Sequence, residues 1–234
     1  MNAKRARADQ GTAATAGRVW LEDAPATPRA PALTRDRITA AVVDVLDAEG
    51  LGGLSMRTVA RRLDVHATSL YWHVAGREDL LDLALDAAFG EIEHTGTPGA
   101  EPLARIAGYM DGLRAALLRH PWAAVLAGTR PLLGPNALAH AEAVHAALVA
   151  AGFSGLRLTA AAALVTDQVC AAVATQTAAE LHGDEATRDA LAARVQADAG
   201  RYPTLAAHPP LLQADWDAHF AQRRDLVLKG LAAG

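Results

Sequence analysis

Hydrophobic positions near the amino end of the chain recur every three or four residues between short polar turns, so the first readable elements are helices. In LGGLSMRTVARRLDVHATSLYWHVAGRED, residues 51 to 79, two such patterns meet across a turn short enough to predict a helix-turn-helix. Ser55 follows Gly52 and Gly53 at an N-cap position, where its hydroxyl can accept from the N–H groups of the opening turn. Met56, Val59, Ala60 and Leu63 then share one face, with Arg57, Thr58, Arg61 and Arg62 on the other, so one side packs and the other is cationic. Asp64-Val65-His66 forms the turn, with Val65 as an apolar plug, and a second short helix is predicted from Ala67 to His73. Its opening residues Ala67, Thr68 and Ser69 are small or hydroxylated, which lets the backbone approach base edges and offers donors to bases or phosphates. Tyr71 and Trp72 add aromatic bulk where this helix would leave a major groove. A buried helical hairpin with a solvated basic face is the competing reading of the same pattern.

On the amino side, Thr34 caps a predicted helix to about Glu49, with Ile38, Ala41, Val42, Val45 and Leu46 on one stripe and Gly50 as its stop. On the carboxyl side, Leu80, Leu81, Leu83, Ala84, Ala87 and Phe89 make the next helix strongly apolar. Residues 1–32 are polar and broken by Pro25, Pro28 and Pro31, which predicts a flexible basic arm. Lys4, Arg5, Arg7, Arg18 and Arg29 could enter a flanking minor groove or add only nonspecific attraction, and Trp20 is the arm's one docking feature. Farther on, helices are separated at Pro98, Pro121, Gly134-Pro135, Gly152 and a longer stretch from about Gly200 to Pro210. One predicted helix, about 156 to 179, sets Asp167, Gln168, Thr175 and Gln176 among Ala, Val and Leu; the last runs from about Leu211 to Leu231 with Trp216, Phe220, Leu226 and Leu228.

Hydrophobic residues make up 51% of the 234 positions but aromatic ones only 4%, so the core must be built from Ala, Leu and Val, and no alternating β-branched run stands out. The chain therefore reads as all-α. Its length suits three segments: the arm at 1–32, a helix-turn-helix domain at 33–79 and a larger helical domain at 80–234. No apolar run reads as a membrane span and no secretion signal opens the chain, so a soluble cytoplasmic protein is expected. The single cysteine, Cys170, excludes an intramolecular disulfide and reads as a core thiol. A net charge of −4 suits a binder with a local cationic patch, which Arg35, Arg37, Arg57, Arg61, Arg62 and Arg77 could supply, better than one that coats DNA. No nucleophile elbow, phosphate loop, HExxH or paired-cysteine pattern appears, so neither enzyme activity nor a metal or cofactor is expected.

Leu70-Tyr71-Trp72-His73-Val74, preceded by Leu54-Ser55-Met56-Arg57 and followed by the helix from Gly76 to Leu85, resembles the DNA-binding domain of the TetR family of transcriptional repressors. The likeness runs without a gap from about Leu33 to Ala88. A patchier likeness, over Leu113 to Pro131 and Ala151-Gly152-Phe153-Ser154, is to the ligand-binding body of the Tet repressor subgroup and is carried mainly by Gly128-Thr129-Arg130-Pro131. The resemblance implies a three-helix DNA-binding domain with a ligand-binding and dimerisation body: a homodimer that reads a palindromic operator and is released by a small-molecule effector. Arg57, Thr58, Ala67, Thr68, Ser69, Tyr71, Trp72, His73 and Arg77 are then the DNA-facing candidates. Thr129, Arg130 and Pro131 would border the effector and the turn that moves on induction, with Tyr109, Trp122, Leu126, His145, Asp167, Gln168 and Gln176 as further effector candidates and His140 beside them. The helix at 156–179 and the last helix would pair with their symmetry mates.

One departure bears on the effector. Subgroup members that bind a magnesium–tetracycline chelate place a histidine two residues before the Gly of that motif, where this chain has Leu126, and Asp167 stands for a second metal-associated histidine. A chelated ion needs donor atoms that Leu126 lacks, so the expected effector is a metal-free organic molecule. A sequence-indifferent architectural DNA binder and a transcriptional activator of the same family are the alternatives.

Overall fold

Thr34 opens the first helix as its sequence predicts: the hydroxyl accepts from the amide of Arg37 at 3.2 Å and α1 runs Arg35–Gly53. The protein is described here by a computed structural model covering residues 33–93, 100–182, 185–208 and 215–233. Among these residues every regular element is a helix, and the fold is all-α. Readings placed on the arm, on Pro98 and on Leu211 and Leu212 lie outside the described residues.

The stripe from Ile38 through Leu46 is buried, as its spacing predicts. Gly50 interrupts the helix where the sequence puts its stop: it takes a positive φ of 66° and a non-helical ψ of −173°, which only a residue without Cβ adopts cheaply, and a separate turn follows to Gly53. Next come α2 (Met56–Leu63), α3 (Ala67–Leu70) and α4 (Arg77–Gly90). α1 packs on both α2 and α4, and α2 on α3. Leu80, Leu81, Leu83, Ala84, Ala88 and Phe89 of α4 are all buried. A helix so thoroughly covered is part of the first core, and the first compact unit accordingly runs past residue 79 to Gly90. The same unit also takes in a distant piece of chain, Thr129–Ala139.

The second unit comprises Glu91–Gly128 and His140–Gly234. Its helices are α5 (Pro102–Arg119), α6 (Pro121–Ala127), the greater part of α7 (Pro135–Ala150), α8 (Gly155–His182), α9 (Glu185–Ala197), α10 (Pro203–Ala207) and α11 (Trp216–Ala232). Proline at the first turn of α5, α6 and α10 fixes where each begins, because its missing N–H is one that a helix start cannot use. α8 packs against α5, α6 and α11 through Ala161, Ala162, Val165, Val169, Cys170, Ala172 and Val173, small side chains that let helices approach closely. α8 is also long and apolar enough to cross a membrane by length and composition, which the sequence reading does not anticipate; here it packs within a helical body. α11 is fastened by charge: Arg224 reaches both carboxylate oxygens of Asp111 at 2.7 and 2.8 Å, and Arg114 pairs with Asp217 at 2.7 Å while lying over the ring of Phe220. α9 and α10, absent from the sequence reading, pack on each other.

Candidate nucleic-acid interface

Ser55 caps α2 through its hydroxyl, which accepts from the amide of Thr58 at 3.1 Å and lies 2.8 Å from the Thr58 hydroxyl. This fixes the first turn of the cationic helix. At the other end Asp64 adopts the left-handed conformation, φ 54°, and its N–H is offered to the carbonyls of Ala60 and Arg61. Asp tolerates this conformation better than most side chains, and it turns the chain sharply enough for Val65 to tuck in half-buried, its N–H donating to Ala60 O at 3.0 Å.

α3 is shorter than predicted, ending at Leu70 rather than His73, because the amides of His73 and Val74 both turn back to the Leu70 carbonyl. Leu70 and Val74 are buried and pin this turn to the core. Between those anchors Tyr71 and Trp72 are thrust outward, 57% and 72% exposed. Thr68 is exposed beside them, Ala67, Ser69 and His73 are half-buried, and Arg57 and Arg61 project from α2 into solvent. Thr58 is half-buried with its hydroxyl turned to Ser55, and Arg62 is tied to Asp44 of α1 at 3.0 Å.

Arg77 is placed differently from the other DNA-facing candidates. Its Nε donates to the carbonyl of Leu54 at 3.1 Å and its Nη2 to that of Leu51 at 2.7 Å, so the guanidinium is spent on joining α4 to the end of α1. Asp79 accepts from the amide of Ala75 at 2.6 Å and closes the turn before α4.

Arg130, which the resemblance places at the effector and the turn that moves, gives its guanidinium to α4. Nη1 donates to Glu78 at 2.6 Å, Nη2 and Nε donate to Asp82 at 2.6 and 2.8 Å, and Nη2 also reaches the Glu78 carbonyl at 3.0 Å. Burial works against the charge, but the hydrogen bonds that Arg130 donates to Glu78 and Asp82, and their negative charges, outweigh it and hold its pKa above the ordinary value. One turn further along α4, buried Asp86 accepts from the amides of Asn136 at 3.3 Å and Ala137 at 2.9 Å and from the Asn136 side chain at 3.1 Å, serving as the N-cap of α7 from another helix. Sequence reasoning missed Glu78, Asp82 and Asp86, although their spacing of four residues was visible.

Thr129 and Pro131 are exposed and belong with Arg130 to the first unit, whereas the remaining effector candidates belong to the second. Tyr109 is buried, its hydroxyl 3.3 Å from that of Thr166 and its ring tilted against His140 at 5.8 Å; burial pushes its pKa up to about 12 despite the Thr166 bond. Trp122 is buried against His120, and Leu126 is buried on the same short helix. His145, half-buried, places Nδ1 2.7 Å from the carbonyl of Ala141, which makes that nitrogen the protonated one. Asp167 is exposed. Gln168 faces Arg223 at 3.4 Å, and Gln176 accepts from Arg114 at 3.0 Å and donates to Glu180 at 2.9 Å, so these polar residues of α8 fasten neighbouring side chains. Cys170 is a buried thiol whose pKa is pushed up to about 12 by burial and by the charge of Asp167.

Comparison with known proteins places this arrangement. Residues 98–234 match the family described as Tetracyclin repressor-like, C-terminal domain. Over 218 residues the chain is 47% identical to an HTH-type transcriptional regulator of Saccharopolyspora erythraea, covering 93% of this chain and 92% of that protein. It is 34% identical to the HTH-type transcriptional repressor DrrR1 of Streptomyces coeruleorubidus, over 86% of this chain and 78% of that one. Among solved structures, the Streptomyces coelicolor TetR family protein ActR in complex with actinorhodin superposes with a TM-score of 0.79 at 30% identity, over 87% of this chain and 98% of that chain.

Proposed function

The chain belongs to the TetR family of transcriptional regulators, and on that footing we propose that it is a ligand-responsive repressor that binds a palindromic operator as a homodimer and leaves it when a small organic effector binds. The observation that carries the DNA reading is the pair Tyr71 and Trp72, held open to solvent beyond buried Leu70, with Arg57 and Arg61 exposed on α2. A four-residue α3 touches few bases, so useful affinity needs two copies about 34 to 36 Å apart in successive major grooves. The exposed Leu156 and Leu164 of α8 and Leu226 of α11 supply apolar surface for a second copy to cover. Such a regulator works in the cytoplasm, where its operator is.

The effector proposed is a metal-free organic molecule, on the strength of the structural neighbour bound to actinorhodin and of buried Leu126, a side chain with no donor for a metal chelate. Binding would displace the turn at Arg130-Pro131 and α4 with it, and the coupling has to come from a difference in effector affinity between the two states of roughly 1 to 3 kcal/mol. The test is a gel shift on the DNA immediately upstream of the protein's own gene, with random DNA as competitor and actinorhodin as the first effector probe. Tight binding that resists random competitor supports the reading. Binding that random DNA abolishes equally well, with a steep salt dependence, replaces it with a sequence-indifferent DNA binder.

A further inference from the structure

A line of charged side chains runs within the first unit from the Thr129–Ala139 segment to the start of α2. Arg130 Nη1 donates to one carboxylate oxygen of Glu78 at 2.6 Å, and the other oxygen faces Arg77 Nη1 at 3.5 Å. Arg77 in turn donates to the carbonyls of Leu51 and Leu54, at 2.7 and 3.1 Å. Leu54 immediately precedes Ser55, the cap that sets the first turn of α2 and therefore where Arg57 points. One carboxylate thus touches two guanidiniums that do not touch each other: one anchored on the distant segment, the other on the entrance to the reading helices.

We propose that Glu78 is a positioning residue for DNA binding, coupling the placement of the 129–139 segment, through Arg130 and Arg77, to the entrance of α2. The coupling deepens the function proposed above and rests on it for its DNA readout. Each end has a second anchor, which makes Glu78 a link rather than a prop. Without Glu78, Arg130 keeps Asp82 and Arg77 keeps its two carbonyls, while the two ion pairs that Glu78 makes with them are lost. The Arg130–Glu78 contact at 2.6 Å is charge-assisted and directional, while the Arg77–Glu78 pair at 3.5 Å is a longer, half-exposed ion pair, so a shift of the segment reaches Glu78 through the first and Arg77 through the charge of the second.

A double-mutant cycle between residues out of contact tests the proposal. Arg77→Met and Arg130→Met are measured singly and together for affinity to the upstream DNA, in the parent and in a Glu78→Gln background. If the residues acted independently, the double variant would lose the product of the two single losses. A relay predicts that it loses little more than the larger single loss, about tenfold, and that the single effects become multiplicative once Glu78 is Gln. Multiplicative losses in the parent background overturn the proposal.

Amide hydrogen exchange supplies a readout that needs no DNA. In Glu78→Gln the amides of Thr58 and Val59 in the first turn of α2 should exchange about tenfold faster while Val42 in the middle of α1 stays at the parent rate; unchanged exchange in α2 overturns the proposal. Should Arg130→Met fail to fold, Glu78→Gln, which leaves the Arg130–Asp82 pair in place, still decides by exchange. If the parent itself ignores the upstream DNA, the repressor reading fails while the exchange arm continues to judge the relay.

Discussion

Arg130 donates to Asp82 from two nitrogens, at 2.6 and 2.8 Å, and the pair is almost shut off from water, the two side chains retaining 8% and 2% of their exposure. Removing one partner of a buried pair strands the other charge, which costs far more than the pair contributes over a hydrocarbon replacement. Glu78 stays on Arg130 Nη1 at 2.6 Å and partly compensates the charge, so Asp82→Ala should lower the unfolding free energy by about 1 to 3 kcal/mol, and Asp82→Asn by less because the amide oxygen still accepts. Urea denaturation checks this, and a loss under about 1 kcal/mol would show that solvent reaches the site and screens it.

Tyr71 and Trp72 test the reading surface from the opposite direction. Both are exposed, so Tyr71→Ala and Trp72→Ala should shift stability by no more than about 0.5 kcal/mol while weakening binding to the upstream DNA about tenfold or more. Ser55→Ala should do the reverse in order, costing about 1 kcal/mol of stability by unmaking the cap and affecting DNA only as a consequence. Aromatic variants that melt early and bind normally would mean that this edge belongs to the core and not to the interface.

Gly134 lies where a Cβ would run into the side chain of Asp86. Gly134→Ala should therefore push that carboxylate off the first turn of α7 and destabilise the fold by roughly 1 to 3 kcal/mol, the range for overpacking. Thermal melting of the variant beside Gly152→Ala, at a position with open space but a positive φ of 92°, separates the clash from backbone strain. A Gly134→Ala protein as stable as its parent would show that Asp86 has room to move.

Glu91 gives the protein an acid-sensitive contact. Burial raises its pKa, but hydrogen bonds from Arg119 and His120, and their charges, outweigh this and hold it below the ordinary value of 4.5. Because the folded value is the lower of the two, the contact's stability is present above the unfolded pKa and is lost as pH falls through the folded one. Glu91→Gln should melt below the parent at about pH 6, and the gap should narrow as pH is lowered through and below the ordinary value of 4.5. A gap that stays constant across that range would exclude ionisation of Glu91 as its source.

How much of this was legible in the sequence depended on the reach of each interaction. The caps at Thr34 and Ser55, the buried stripe of α1 and the Asp64 turn act within one or two turns of chain, and all were readable from local spacing. The membership of α4 was harder to judge. Its residues were named correctly as apolar, but whether they cover the first core or a second one depends on what packs beside them. The short α3 was overextended because Tyr71-Trp72-His73 has helical character, while the backbone there follows the pull of Leu70 and Val74 on either side. The acidic partners of Arg130 could not be read from spacing. They lie 48 and 52 residues away, so the sequence displayed the acids and the arginine but not their meeting. Gln168 and Gln176 stand out in the sequence as polar residues in an apolar helix, and each meets an arginine of another helix that spacing cannot reveal.

Asp86 caps a helix that begins some fifty residues later in the chain. A fragment cut after Gly90 would carry the recognition elements and yet leave this carboxylate, with Glu78 and Asp82, without the partners that 130–137 supplies. A chimera that grafts this protein's DNA specificity onto another scaffold would therefore have to transplant two stretches of polypeptide rather than one.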